Sequence, residues 1–218
     1  PCRGGGCGHP PRRHRAQRYG TREPDQPRRC RRAARRANQP AGQPGAPQMR
    51  TVSISSFAQR HSAFHWYAGF DEAYNVGKFG LETADEVYAI AEDWLQRKGK
   101  EDDWFLHVHM WDPHTPYRAP ADLGEPFADS PLPAWYTEDV RASHWQSSGP
   151  HSARENYGFA PNKAMQAVYP RQPQETPDML AARKMFDGYD CGVLVADDYV
   201  GRLLNLLVDL GVDDETVV

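Results

Sequence analysis

No Val, Ile, Leu, Phe, Met or Trp occurs before Met49, and from there a hydrophobic pattern sets in abruptly. "RTVSIS" sets Val52 and Ile54 between polar neighbours, the period of two that marks a short strand. The aromatic-rich stretch "FAQRHSAFHWYAGFDEAYN" holds no sustained period and reads as a connection that turns at Gly69. Thr83 with Glu86 three residues on then predicts a capping box, and Val87, Ile90, Ala91, Trp94 and Leu95 follow at helical spacing to form one apolar face. Arg97 and Lys98 suit the C-terminal end of that helix's dipole, and Gly99 ends it. "DDWFLHVHM" is apolar and aromatic almost throughout, the character of a strand buried on both faces of an α/β sheet. Strand, helix, strand predicts a parallel pair.

From Trp111 to Pro177 prolines and glycines recur every few residues and no period lasts. A connection of this length is more often functional than padding. Thr176 with Pro177 predicts the opening of the longest helix, because proline is pre-organised for the first helical position. Phe186, Tyr189, Val193, Ala196, Val200, Leu203, Leu207 and Leu210 then advance by three or four residues each time, which predicts one apolar stripe facing a core. Gly211 is the expected stop, and "ETVV" has the look of a further strand that has only begun at Val218.

Charge divides the chain at the same place as hydropathy. Residues 1–50 hold 13 Arg against Glu23 and Asp25, about +11, which leaves 13 basic and 27 acidic residues, about −14, for residues 51–218. Residues 1–48 are mostly Arg, Pro, Gly and Ala and have almost nothing to bury, so the expectation is a disordered segment. Three readings of it stay open. These residue types have GC-rich codons, which favours a frame or gene-model artefact; a plain disordered tail comes next, and a basic nucleic-acid arm through "RRCRRAARR" last. "CRGGGC" resembles half a zinc knuckle, but no second cysteine pair follows at finger spacing. Residues 49–218, the organised part, contain Cys191 alone and so form no internal disulfide. The sequence has no run of about 18 apolar residues and no apolar signal-peptide core, so a membrane partner is not expected and the compartment stays open.

The densest candidate chemistry is "FLHVHMWDPHTPYRAP", Phe105 to Pro120. Ligands in α/β sheets bind outside the carboxyl ends of strands, where "WDPHTPY" falls. His107 and His109 share one strand face and could ligate zinc, but no third ligand follows at a recognised spacing, and packing is the favoured reading. Asp112 is expected to shape the loop. His114 stands between Pro113 and Pro116 on a stiffened backbone, where an imidazole can donate a hydrogen bond to an anionic oxygen or protonate a leaving group. It is the candidate catalytic and substrate-binding residue.

That segment resembles the D-P-H-x-P-Y loop of sulfatases in the alkaline phosphatase-like superfamily. "YDCGVLVADDYVGRLLNLLVDLGVDDETVV" is similar to the helix and strand that lead into the family's metal-binding S-D-[HN]-G turn, and "RTVSISSFAQRHSAFHWYAGFDE" to its early strand and aromatic segment. The resemblance covers about Met49 to Val218. It implies an α/β fold, a partial three-layer sandwich with a mainly parallel sheet flanked by helices, incomplete at both ends. It also implies that His114 contacts the sulfate group or its bridging oxygen, with a sulfated small molecule or glycan as substrate.

The resemblance further implies a divalent cation, calcium, and a formylglycine nucleophile made from Cys or Ser in a C/S-x-P/A-x-R motif. None of the four cysteines has Pro or Ala two residues on and Arg four on, so nucleophile and metal ligands are expected to be absent and metal residues are assigned to none. Asp197 and Asp198 lie adjacent in mid-helix, about 100° apart, and read as polar surface. The expectation is a sulfuric ester hydrolase by family, a central piece of one that is inactive and marginally stable, with unpaired sheet edges. Two alternatives remain: a phosphodiesterase or phosphonate hydrolase of the same superfamily, or a non-catalytic protein with a basic nucleic-acid-binding arm.

Overall fold

A computed structural model describes residues 49–147, 163–173 and 175–218. Residues 1–48, expected to be disordered, lie outside the described residues. The first strand, β1, spans Arg50–Ile54, and a one-turn helix, α1, spans Phe57–Arg60. A 3-10 turn at Phe64–Tyr67 leads to β2, Glu72–Tyr74, followed by α2, Ala84–Lys98, and β3, Trp104–Val108. Beyond these come α3, Glu138–Gln146, α4, Lys163–Val168, and the long helix α5, Met179–Leu210.

The three strands form a parallel sheet in the order β2-β1-β3, so among the described residues β2 and β3 are both edges. Ser53 stands beside His107 and Ile54 beside Val108, which sends the two sets of side chains to opposite faces. On one face Val52 and Ile54 meet α2 and α5 through Val87, Ala91, Trp94, Leu95, Leu203 and Leu207. The other face carries Ser53, His107 and His109 under the rings of Phe57, Trp66 and Phe70 from α1 and the segment after it. The architecture is α/β, a three-strand parallel sheet flanked by helices, as a partial alkaline phosphatase-like fold requires.

The capping box of α2 forms as its sequence predicts: the Thr83 N–H donates to Glu86 Oε2 at 3.1 Å, and the Thr83 side chain takes the Glu86 N–H. Its apolar face buries Val87, Ala91, Trp94 and Leu95, with Ile90 packed at the margin. A fully buried side chain of this size contributes about 1.5–3 kcal/mol, so this face is the main glue between helix and sheet.

Several expectations are corrected. β2 falls inside the aromatic segment read as a connection; a three-residue strand is too short to display a period. None of the five residues of β3 is fully buried, and Phe105 is 49% exposed because only the rings of residues 57–70 cover its side. α3 lies in the stretch read as irregular; Thr137 caps it, and its hydrophobic face is slight. α5 starts two residues later than expected, capped by Asp178, whose Oδ1 accepts the Ala181 N–H at 2.8 Å. Thr176 is buried instead, its carbonyl accepting from Arg141. After α5 the chain makes a 3-10 turn at Asp213–Glu215 and is extended at Thr216, with no strand pairing among the described residues.

The predicted α5 stripe is only half right. Leu203, Leu207 and Leu210 do face the core, but Tyr189, Val193 and Val200 are 48%, 42% and 43% exposed. In its N-terminal half the helix instead buries Ala182, Asp187, Gly188, Cys191 and Gly192. There its neighbour is the backbone after β3, which approaches too closely for large side chains: a Cβ on Gly192 would lie 2.4 Å from the Asp112 carbonyl oxygen, and one on Gly188 2.6 Å from that of Arg171. Arg171 fastens the same loop, donating to the carbonyls of Ala119, Pro120 and Gly124 at 3.0, 2.8 and 2.8 Å.

Candidate functional site

The carboxyl ends of β1 and β3 meet where the His109 N–H donates to the Ile54 carbonyl at 3.0 Å. His107 Nδ1 lies 3.1 Å from Ser53 Oγ and His109 Nδ1 3.0 Å from Ser55 Oγ, so each imidazole is paired across the strands with a serine. Aromatic rings cover both: Trp66 and Phe70 lie beside His107, Phe57 and Trp111 beside His109. This is packing geometry. Burial holds both imidazoles below their ordinary pKa of 6.5.

A stability consequence follows from that direction. A histidine whose folded pKa is depressed contributes stability that is fully present above 6.5 and is lost as pH falls toward the folded value, because the unfolded chain binds more protons in that window. The urea midpoint is therefore expected to drop between pH 7.5 and pH 5, and a His107→Gln/His109→Gln double variant to flatten that slope. An unchanged slope in the double variant refutes the assignment. Asp112, whose carboxyl is raised by burial, has the opposite sign and contributes to the wild type and the variant alike.

Beyond β3 the chain turns at Trp111–His114, closed by the His114 N–H on the Trp111 carbonyl at 2.8 Å. Asp112 is 1% exposed, and its Oδ1 accepts the Ala84 N–H at 3.1 Å, which ties the loop to the first turn of α2. Arg118 reaches back over the loop and donates to the carbonyls of Trp111 and Pro116. The Thr115–Pro116 peptide is cis.

His114 is half-buried, its ring edge-on to Trp111 at 5.3 Å. Its Nδ1 lies 2.6 Å from the Thr115 carbonyl oxygen. A carbonyl only accepts, so the proton sits on Nδ1, and Nε2 is the nitrogen that gains or loses one. Burial lowers the pKa of His114; the Thr115 bond works the other way, and the guanidinium charges of Arg60 and Arg118 lower it further. Arg60 stands over the Trp111 ring at 5.2 Å and donates to the Phe79 carbonyl at 3.0 Å. Together with His61, Phe79 and Leu81 it lines an open hollow of about 490 Å³. Arg60 and His61 come from the connecting segment and meet Trp111, the ring on which His114 packs.

Residues here do not fit a metal ion. Among the described residues no group of three or more His, Cys, Asp or Glu converges. Of the two buried carboxylates at this end of the sheet, Glu82 is committed to the Ser56 hydroxyl and the Gly80 N–H, while Asp112 accepts from α2 through Oδ1 and its Oδ2 has no hydrogen-bond partner among the described residues. Asp198 pairs with Arg202 at 2.8 Å on the exposed side of α5, as polar surface should. Cys191 is buried beside the Arg171 guanidinium.

The nucleophile motif needs a correction of a different kind. Ser56-Phe57-Ala58-Gln59-Arg60 has the serine form of C/S-x-P/A-x-R, so the motif is absent only in its cysteine form. The placement of Ser56 nevertheless argues against that role, because it is 1% exposed with its hydroxyl given to Glu82.

No helix among the described residues is long and apolar enough to cross a membrane. No curated protein and no solved structure matches the chain significantly. The Sulfatase family model matches residues 45–218, the whole of the sheet, both core helices and the His114 loop. Since that match spans most of the sequence and the fold agrees with it, this chain belongs to the sulfatase family.

Proposed function

We propose that the chain forms one corner of a site for sulfate esters of small molecules or glycans, with His114 contacting the sulfate group, and that the 218-residue chain by itself does not turn them over. The observation that carries the reading is the Nδ1–H bond to Thr115, which makes Nε2 the proton-exchanging atom of an imidazole on which the Arg60 and Arg118 charges bear. Protonated at Nε2, His114 donates to an anionic oxygen; neutral, it cannot. An approaching anion favours the charged form, so affinity for a sulfate ester falls as pH rises through the pKa of His114.

Formylglycine and calcium, on which the family generally depends, would supply a nucleophile and an electrophile. The described residues fit neither, so no step is routed through them. Loss of one such electrostatic contribution commonly costs about 10²–10³ in rate, and His114 alone does not replace two.

The test has two arms. Binding of an aryl sulfate at pH 6, followed by the ligand's own aromatic resonances, is expected to weaken about 10-fold or more in His114→Ala, the cost of a charge-assisted hydrogen bond. Equal binding by the variant refutes the contact. Turnover of the same ester with added calcium is expected to match His114→Ala and Ser56→Ala controls; activity lost in either variant refutes the inactivity.

A further inference from the structure

The loop that carries His114 is closed by one side chain. Arg118 spreads its guanidinium across the segment, Nη2 donating to the Trp111 carbonyl at 2.5 Å and Nη1 to the Pro116 carbonyl at 3.2 Å. The two acceptors lie on either side of His114, so a single planar fork holds both ends of the turn. The Trp111 carbonyl also accepts the His114 N–H, which couples the fork directly to the histidine backbone. Asp112 fixes the same turn independently through Ala84, and Gly192 lets α5 press against its backbone. Neither of those contacts reaches beyond Pro113. Pro116 is also fully buried and the His114 ring packs on Trp111, but the side chain that hydrogen-bonds across the half from His114 to Pro116 is Arg118.

We propose that Arg118 is a positioning residue for His114: its guanidinium clips Trp111 and Pro116 together, and so fixes where the imidazole stands and which ring nitrogen carries the proton. Geometry supports this in a second way. The clip keeps the Thr115 carbonyl within reach of Nδ1, and the tautomer depends on that contact. The same guanidinium is one of the charges that bear on His114, together with that of Arg60 from α1; the titratable neighbours are His61, just after α1, and Asp112 on the loop itself. Charged donors bonded to carbonyls contribute more than neutral ones, so the fork is a strong element of an otherwise irregular segment. The proposal rests on the reading of His114 as the anion-contacting group, but its test does not require bound anion.

The experiment is long-range ¹H–¹⁵N correlation of the histidine rings in the full chain, with His114 assigned through His114→Ala. Wild type is expected to show His114 with its proton confined to Nδ1 and a midpoint below 6.5. Arg118→Met is expected to mix the tautomers and raise the midpoint by about half a pH unit, the effect of removing one partly screened charge. Arg118→Lys keeps the charge but not the planar fork, so it is expected to mix the tautomers while the midpoint stays low. His107 and His109 serve as the check on folding, because their serine partners lie outside the loop. Wild-type tautomer and midpoint in both variants overturn the proposal. So does loss of the His107 and His109 pattern in both, which makes Arg118 a folding residue instead. If an aryl sulfate leaves His114 unperturbed while Arg118 behaves as expected, the contact reading fails and the positioning role stands.

Discussion

Trp94→Ala is expected to remove about 3–5 kcal/mol of stability, the range for truncating a large aromatic in a packed core. Trp94 is fully buried, its ring meets Trp104 edge-on at 5.7 Å, and it closes the core between β1, α2 and α5 with Val52, Leu95 and Leu207. Its Nε1–H also donates to Glu72 Oε2 at 3.1 Å, so truncation takes a partner from a carboxylate on β2. Small domains have only about 5–15 kcal/mol in total, so a loss of this size is a large share of it. The variant should therefore be largely unfolded at 25 °C by near-UV circular dichroism. Trp94→Phe, which keeps the ring but loses the donor, should fall between. A Trp94→Ala variant with a wild-type urea midpoint would show that this cluster is not the core.

Gly192→Ala is expected to destabilise by about 2–3 kcal/mol, although alanine is the better helix former. The new Cβ would lie 2.4 Å from the Asp112 carbonyl oxygen and 2.8 Å from Pro113 Cα, and backbone atoms cannot swing aside as the end of a side chain can. Gly201 sits in the same helix with nothing within 4 Å of its virtual Cβ, so Gly201→Ala should stabilise by about 0.5–1 kcal/mol through propensity alone. Opposite signs in one helix separate close approach from intrinsic preference. The two urea midpoints decide it, and a shift in the same direction for both refutes the contact. Gly192→Ala should also disturb the His114 resonances, since the displaced backbone is that of Asp112 and Pro113.

Elements whose cause is local were legible. The capping box at Thr83 and Glu86 and the apolar face of α2 depend on residues within one helix, and both form as expected. β1 and β3 likewise carry enough apolar residues to be recognised. β2 did not, because three residues hold no periodicity and its pairing partner is 20 residues away. α5 was legible as a helix but not as a surface. Its apolar stripe suggested a single buried face, whereas the N-terminal half buries its glycines. The four-residue spacing of Gly188 and Gly192 was the available signal for a close backbone approach.

The site divides in the same way. "WDPHTPY" marked a stiff turn at a strand end, and proline chemistry alone singles out His114 within it. The serine partners of His107 and His109 are also latent in sequence, since "SISS" and "HVH" become neighbours once β1 and β3 pair in register. Arg118 and His61 carry no such signal, and the motif that contains Arg60 does not say what its side chain meets. Nothing in "RAP" or "AQRHS" says which carbonyl or ring the side chain will meet, because those contacts depend on how a loop folds back and how a connecting segment lies over the sheet.

By itself, then, the sequence determined the class of fold, the start of α2, the stiff loop and the histidine at its tip, all of which follow from steric and periodic constraints over a few residues. Only the tertiary structure decided that Asp112 Oδ1 accepts from the α2 N-terminus, that the Ser56 hydroxyl donates to Glu82, and that Arg118 closes the loop on His114. Those outcomes depend on which distant groups come within about 3 Å, a distance at which a hydrogen bond is made or absent and over which sequence spacing has no control.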